Sequence, residues 1–181
     1  MTRLSRRRLL TAGLLLAGGA QAATAAPPEV ASELPGARPH GQGRLRFFGL
    51  HVYDIRLWAA AAAPLPDWPS VPLALEIEYA RALEGAQIAS RSLQEMRRQA
   101  EVGAETGARW LGAMQQLFPD VRAGDRMTGA QRPGEAARFF FNGRLQGELR
   151  DAEFARLFFG IWLSPRSSEP ALRLALLGPG A

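Results

Sequence analysis

The chain has 181 residues, with 22 basic and 17 acidic side chains and a formal net charge of +5. It has no cysteine, no lysine and only two histidines, His40 and His51, which excludes disulfides and any zinc or haem site built from His and Cys alone. Residues 1–22 hold Arg3, Arg6, Arg7 and Arg8 and no acid, so removing them takes the +5 to +1 and leaves no basic surplus to suggest a nucleic-acid surface.

Those first residues read as an address rather than as structure. A basic start is followed by the short apolar run Leu9–Ala20 and the small-x-small sequence Ala20-Gln21-Ala22. That is the three-part export signal, too short to span a membrane with these flanks. Ser5-Arg6-Arg7-Arg8-Leu9-Leu10 is of the twin-arginine type, which a receptor reads. The expectation is a periplasmic or secreted protein with no transmembrane span in its mature chain, cut after Ala22 or after Ala25. Residues 23–40, rich in Ala, Pro and Glu, read as a flexible N-terminal segment, and residues 41–181 as one domain.

The domain opens with Gly41–Trp58, which reads as two strands meeting at Gly49-Leu50. A glycine first in a two-residue loop favours a type II′ turn. In that register Phe48 faces His51, Phe47 faces Val52 and Arg46 faces Tyr53, so arginine and tyrosine stand together on an otherwise apolar surface. Ala59–Pro72 carries four prolines within nine residues and reads as loop. Leu73–Tyr79 alternates Leu73, Leu75, Ile77 and Tyr79 with Ala74, Glu76 and Glu78, which predicts a strand buried on one side and solvated on the other.

The period then changes. Glu84–Ala100 and Ala104–Phe118 read as amphipathic helices broken at Gly103, the second with Trp110, Leu111, Met114, Leu117 and Phe118 on one face and Pro119 as its stop. Gly124–Arg132 and Ala136–Phe141 are further strands, and Asn142-Gly143 is a strong hairpin signal leading into Arg144–Leu149. Asp151 caps a helix that carries Phe154, Leu157, Phe158, Ile161 and Trp162 on one face. A last helix starts at Pro170, directs Leu172, Ala175 and Leu176 inward and closes at Gly178-Pro179. The order predicts an α+β open-faced sandwich, a largely antiparallel β-sheet with a layer of α-helices on one face.

No nucleophile elbow, P-loop or dinucleotide fingerprint is present. The acid pairs Glu76/Glu78 and Asp151/Glu153 read as an outward strand face and helix-start chemistry. These patterns assign no catalytic residue, no metal ligand and no cofactor.

Gly43-Arg44-Leu45-Arg46-Phe47-Phe48-Gly49-Leu50-His51-Val52-Tyr53-Asp54 resembles the opening hairpin of bacterial chalcone isomerase-like proteins. Phe118-Pro119-Asp120-Val121 with Gly124-Asp125, Phe141-Asn142-Gly143, Phe159-Gly160-Ile161-Trp162-Leu163 and Leu176-Leu177-Gly178 continue the resemblance in order, over about residues 41–178. It implies a ligand cleft between sheet and helices. In plant enzymes of that family the cleft cyclises a chalcone; a strand arginine, a Thr on the partner strand, a Tyr and an Asn on a helix, and a Ser or Thr before the last helix form the site. Other members bind fatty acids through an arginine and a tyrosine. On this chain the resemblance puts Arg44 or Arg46 at the strand arginine, Tyr53 at the partner-strand Thr, and Ser167 or Ser168 before the last helix. The helix positions fall near Arg98 and Glu105, and an acid and a base there do not reproduce the enzyme's hydrogen-bond network.

The resulting expectation is a non-catalytic protein that binds an amphipathic small molecule such as a fatty acid, with Arg44, Arg46, Tyr53 and Ser168 as ligand-binding residues. A buried arginine demands an anion, and Asp54, Glu76, Glu78 or a ligand could supply it. The alternatives are an isomerase or lyase acting on an enone and an interaction module of the cell envelope.

Overall fold

The alternation of Leu73–Tyr79 is the pattern on which the sheet is laid out. The structure, a computed structural model, describes residues 25–178; the export signal expected over residues 1–22 lies outside the described residues. Leu73, Leu75, Ile77 and Tyr79 all turn inward and are buried. Around that strand the elements run α1 (Pro28–Glu33), β1 (Arg38–Phe47), β2 (Leu50–Ala59), β3 (Leu73–Tyr79), α2 (Gly85–Gln99), α3 (Ala104–Leu117), β4 (Arg126–Arg132), β5 (Ala136–Phe141), β6 (Arg144–Leu149), α4 (Ala152–Leu163) and α5 (Pro170–Leu177). The six strands form one antiparallel sheet in chain order.

Helices α2, α3, α4 and α5 cover one face and enclose the main core. Apolar residues at helical spacing do this: Leu93 and Met96 from α2, Trp110 and Met114 from α3, and Phe154, Leu157 and Phe158 from α4 are all buried. Asp151 starts α4, its carboxylate accepting from the backbone N–H groups of Glu153 and Phe154. The other carboxylate oxygen accepts from Trp110 Nε1 at 2.9 Å, so one side chain caps α4 and fastens α3 to it.

The structure departs from the sequence expectation in several places. The segment expected to be flexible contains α1, which packs Val30 against Trp58, Ala74, Ala130 and Phe140 on the sheet face opposite the other helices. The sandwich is therefore only partly open. Glu76, expected to be solvated, is buried beneath this cover and accepts from Trp58 Nε1 at 2.7 Å. The proline-rich loop also tightens into a 3₁₀ turn at Leu65–Ser70, because short 3₁₀ pieces tolerate the prolines that an α-helix excludes.

The first hairpin turns one residue earlier than expected. Phe47 pairs with Leu50, and the turn is Phe48-Gly49, with φ of 47° and 79°. Positive φ at both central residues makes it type I′, the twist-matched alternative to II′. An irregularity between Leu45 and Arg46 shifts the register again, so that Leu45 faces Tyr53 and Arg46 faces His51.

Helix α5 closes directly on β1, and two glycines permit it. A Cβ at Gly41 would stand 2.2 Å from the Leu176 carbonyl oxygen, and one at Gly43 would stand 2.3 Å from Leu172 Cδ1. Gly41→Ala meets backbone that cannot rotate aside and should cost about 1–3 kcal/mol, the range for overpacking. Urea denaturation should show the lower midpoint; an unchanged midpoint would mean that α5 does not sit this close.

Candidate functional site

Between the two layers lies a cavity of about 380 Å³, within the range of roughly 300–1,000 Å³ usual for small-molecule sites. Its walls are mostly apolar. The sheet contributes Leu45, Val52, Leu75 and Ile77, the helical layer Ile88, Phe158 and Ile161, and Phe118 and Phe139 also line it. Aromatic edge-to-face contacts, such as Phe118 on Phe139 with centroids 5.1 Å apart, make part of that lining rigid.

Against this surface stand the chain's two tyrosines. Tyr53 and Tyr79 are cross-strand partners on β2 and β3, their ring centroids 6.1 Å apart and their planes at 79°. Strand parity brings them to the helix side: Tyr53 shares its face with Ile55 and Leu57, and Tyr79 with Ile77 and Leu75. Trp162 of α4 donates its Nε1–H to the Tyr53 oxygen at 2.9 Å. Tyr53 is thus an acceptor towards the protein, and its own proton remains unused. Among the described residues, neither phenol proton has an acceptor. Burial pushes both phenols above their ordinary value of 10.0; Trp162 pulls Tyr53 back slightly, while Glu169 and Glu95 push it further up.

Charge enters from α2 and the rim. Ile88, Arg91, Ser92 and Glu95 line the cavity at i, i+3, i+4 and i+7. Glu95 is buried, 2.7 Å from the mostly exposed Arg91 and 3.5 Å from Arg98. Arg81 lines the cavity from the exposed segment after β3 and makes no ion pair among the described residues. Ser168 and Glu169 line it from the turn before α5.

Of the residues expected from the sequence, Tyr53 and Ser168 line the cavity and Arg44 and Arg46 do not. The shifted turn and the register irregularity are the cause. Leu45, not Arg46, opposes Tyr53 and shares its side. Arg44 opposes Asp54 on the other face and binds it twice, at 2.7 and 3.1 Å, which holds the Asp54 carboxyl below its ordinary value. Arg46 is exposed and donates to the Gly49 carbonyl oxygen at 3.2 Å. Ser167 is engaged elsewhere, donating to the Ile161 carbonyl oxygen at 2.7 Å. Arg98 and Glu105 are exposed and do not line the cavity; α2 supplies its polar groups about one to three turns before Arg98, from Gln87 to Glu95. Sequence reasoning misses Tyr79, Arg91, Glu95 and Trp162. The signal for the α2 group is in the stripe itself, because polar residues occupy positions three, four and seven after Ile88 where an entirely buried helix would carry apolar ones.

Among the described residues no cluster of three or more His, Cys, Asp or Glu side chains is placed to hold a metal ion. No helix among them is long and apolar enough to cross a membrane.

Because the chain has two tyrosines and both lie here, phenolate absorbance reports on this site alone. In the folded protein no phenolate should form as the pH passes 10.0. The unfolded chain does lose these protons there, so stability is intact below the ordinary value and falls as pH rises above it. Phenolate should therefore appear together with unfolding as followed by circular dichroism. Free titration near the ordinary value in a folded protein would mean that both hydroxyls are open to bulk water.

The comparisons with known proteins agree with this geometry. A model of the family described as chalcone isomerase-like matches residues 41–178. An uncharacterized protein of Haemophilus influenzae is 29% identical over 141 residues, which cover 78% of this chain and 68% of that protein. The crystal structure of an Arabidopsis thaliana fatty-acid binding protein superposes with a TM-score of 0.62 at 14% identity, covering 79% of this chain and 87% of that one, a likeness of fold. The strand order, the helical layer and the matched span together make this chain a member of the chalcone isomerase-like family.

Proposed function

We propose that this protein is a non-catalytic binder of an amphipathic small molecule, a fatty acid being the best-fitting class. The observation that carries the reading is the pair of phenol protons, Tyr53 and Tyr79, left without acceptors in an apolar recess. A hydrogen bond to a charged acceptor is worth about 1.5–3 kcal/mol. A ligand whose head offers acceptor oxygens gains such bonds from the two phenols, while its tail meets Leu75, Ile77 and Phe139. Arg81, with no ion pair among the described residues, and Arg91 at the rim favour an anionic head over a cationic one. That the Arabidopsis neighbour is a fatty-acid binding protein supports the class at the level of the fold.

In this reading the head is recognised by neutral hydroxyls, and the strand arginines take no part. Titration calorimetry with palmitate tests it. Tyr53→Phe and Tyr79→Phe each remove one hydrogen bond to a charged group, about 1.5–3 kcal/mol or roughly ten- to a hundredfold in affinity. Arg44→Gln should change little. Palmitate bound equally well by the double Phe variant, or not bound at all, would remove the basis of the proposal. Turnover of a chalcone that the same variant abolishes would replace it with an enzyme.

We further propose that the protein works outside the cytoplasm. The basic start, apolar run and small-x-small sequence of residues 1–22, and the absence of cysteine, support this. Cell fractionation with mass analysis should find a chain beginning at Ala23 or Ala26 in the periplasm or medium; an uncut cytoplasmic chain would refute it.

A further inference from the structure

We propose that the tip of the β1–β2 hairpin docks on an anionic bilayer surface and so brings the cavity mouth to the membrane. The tip is the most apolar exposed feature of the described chain. Phe47 is 60%, Phe48 90% and Leu50 55% exposed, and the two phenylalanine rings lean on each other edge to face with centroids 4.5 Å apart.

The molecule contains its own control for what such a turn needs. The β5–β6 hairpin uses the same two-residue turn with both central residues at positive φ, and there the residues are Asn142 and Gly143. Asn142 suits that conformation and uses its side chain, accepting from the Arg126 N–H at 2.8 Å and donating to Asp125 at 2.9 Å. At the equivalent place in the first hairpin stands Phe48, a residue ill suited to positive φ, which gains no core contact in return. The folded chain by itself gives no reason for a phenylalanine there. A partner that takes up aromatic rings does.

Two features identify the partner as a charged lipid surface. The first is charge. Arg46 at the tip has only the Gly49 carbonyl as partner, and Arg81 makes no ion pair among the described residues. Ala80 donates to the Val52 carbonyl at 2.9 Å, which holds the start of the Arg81 segment beside the hairpin. The nearby acid of the hairpin, Asp54, is neutralised by Arg44; Glu169 stands on the cavity wall formed by the turn before α5. Aromatic rings between unpaired guanidinium groups match the acyl–headgroup boundary of an anionic leaflet. The second is continuity. Phe47 and Val52 also line the cavity, so the hairpin's apolar surface is shared between its tip and the recess. The use of that surface for exchanging an amphipathic ligand rests on the binding function proposed above; the docking itself does not.

Flotation of the full chain with phosphatidylglycerol–phosphatidylcholine vesicles tests the docking, and Phe48→Trp in the presence of brominated lipid locates the tip. The fluorescence this substitution adds to that of the parent chain should be quenched. Phe48→Asn should lower partitioning by about tenfold or more, from the loss of one buried aromatic ring, yet raise the melting temperature, because asparagine fits the turn. Arg46→Gln should weaken binding by about fivefold on anionic vesicles and have no effect on phosphatidylcholine alone. Palmitate affinity in vesicle-free solution should be unchanged in Phe48→Asn, so failure of docking and failure of the binding site are separately visible. An unquenched indole at the tip, undiminished flotation of Phe48→Asn, or a concentration-dependent dimer that Phe48→Asn abolishes while vesicles bind neither form would overturn the proposal, the last by making a second copy of the chain the occupant.

Discussion

The hydrogen bond from Trp162 to Tyr53 is the constraint from which the site follows. It crosses from the helical layer to the sheet, donor on α4 and acceptor on β2, and it fixes both the spacing of the layers at that point and the orientation of the phenol. A phenol that accepts from its own protein must direct its proton elsewhere. Tyr79, its cross-strand neighbour, is held at a ring separation of 6.1 Å and also has no acceptor among the described residues. Away from this place the interlayer space is filled: Phe154, Phe158 and Phe139 pack with centroids between 5.0 and 6.3 Å. The layers are therefore close-packed around Phe154 and bridged at Tyr53 by the Trp162 hydrogen bond, and the recess, with Phe139 and Phe158 in its wall, lies between those two places.

The opposite face of the sheet decides why the recess contains phenols and no strand guanidinium. Along β2, alternation directs Tyr53, Ile55 and Leu57 to the helices and Asp54, Arg56 and Trp58 away from them. On that outer face acids and arginines pair systematically: Arg44 with Asp54, Arg56 with Glu76, Arg126 with Glu29, and Arg138 with Glu33 and Glu148. The exposed Arg44–Asp54 pair adds little stability; where the carboxylate is buried, as at Glu29 and Glu76, the pair also adds little net, but removing its cation leaves a buried charge. Their effect is positional. Glu29, with Thr128 and Arg126 as donors, seats α1 on the sheet, and the arginines of these pairs are committed to that side.

How much of this is legible in the sequence depends on how the information is encoded. Periodicity carries the elements: Leu73–Tyr79, Ala136–Phe141 and Arg144–Leu149 have the boundaries their patterns predict, and Asp151 caps the helix that follows it, as expected. Register is encoded differently. A turn displaced from Gly49-Leu50 to Phe48-Gly49 and an irregularity at Leu45/Arg46 are enough to exchange arginine for leucine opposite Tyr53, since side chains alternate with period 2. Nothing local predicts a phenylalanine at positive φ, so the pattern points to the glycine as the first turn residue when it is the second. Helix α1 is illegible for another reason. Its six residues are too few for a periodic signal, and it is held by Glu29 and Val30 meeting residues about a hundred positions later. The burial of Glu76 depends on that helix and cannot be read before it.

The chemistry of the head group follows from the same geometry. A guanidinium in the recess would have selected its ligand by charge, and a screened rim does so weakly. In the binding we propose, two phenols kept neutral by burial select by acceptor geometry instead: two donors, on adjacent strands, met by two oxygens of one planar group. Glu95 sets the local charge. It is buried near Tyr53, but Arg91 at 2.7 Å and Arg98 at 3.5 Å offset it, which leaves Glu169 as the carboxylate on the wall without an ion pair among the described residues. Both cations are anchored on α2 and largely exposed, which leaves the neutral donors as the groups fixed at depth. In the binding we propose, the head is held by hydrogen bonds made away from bulk water, where each is worth more than in water.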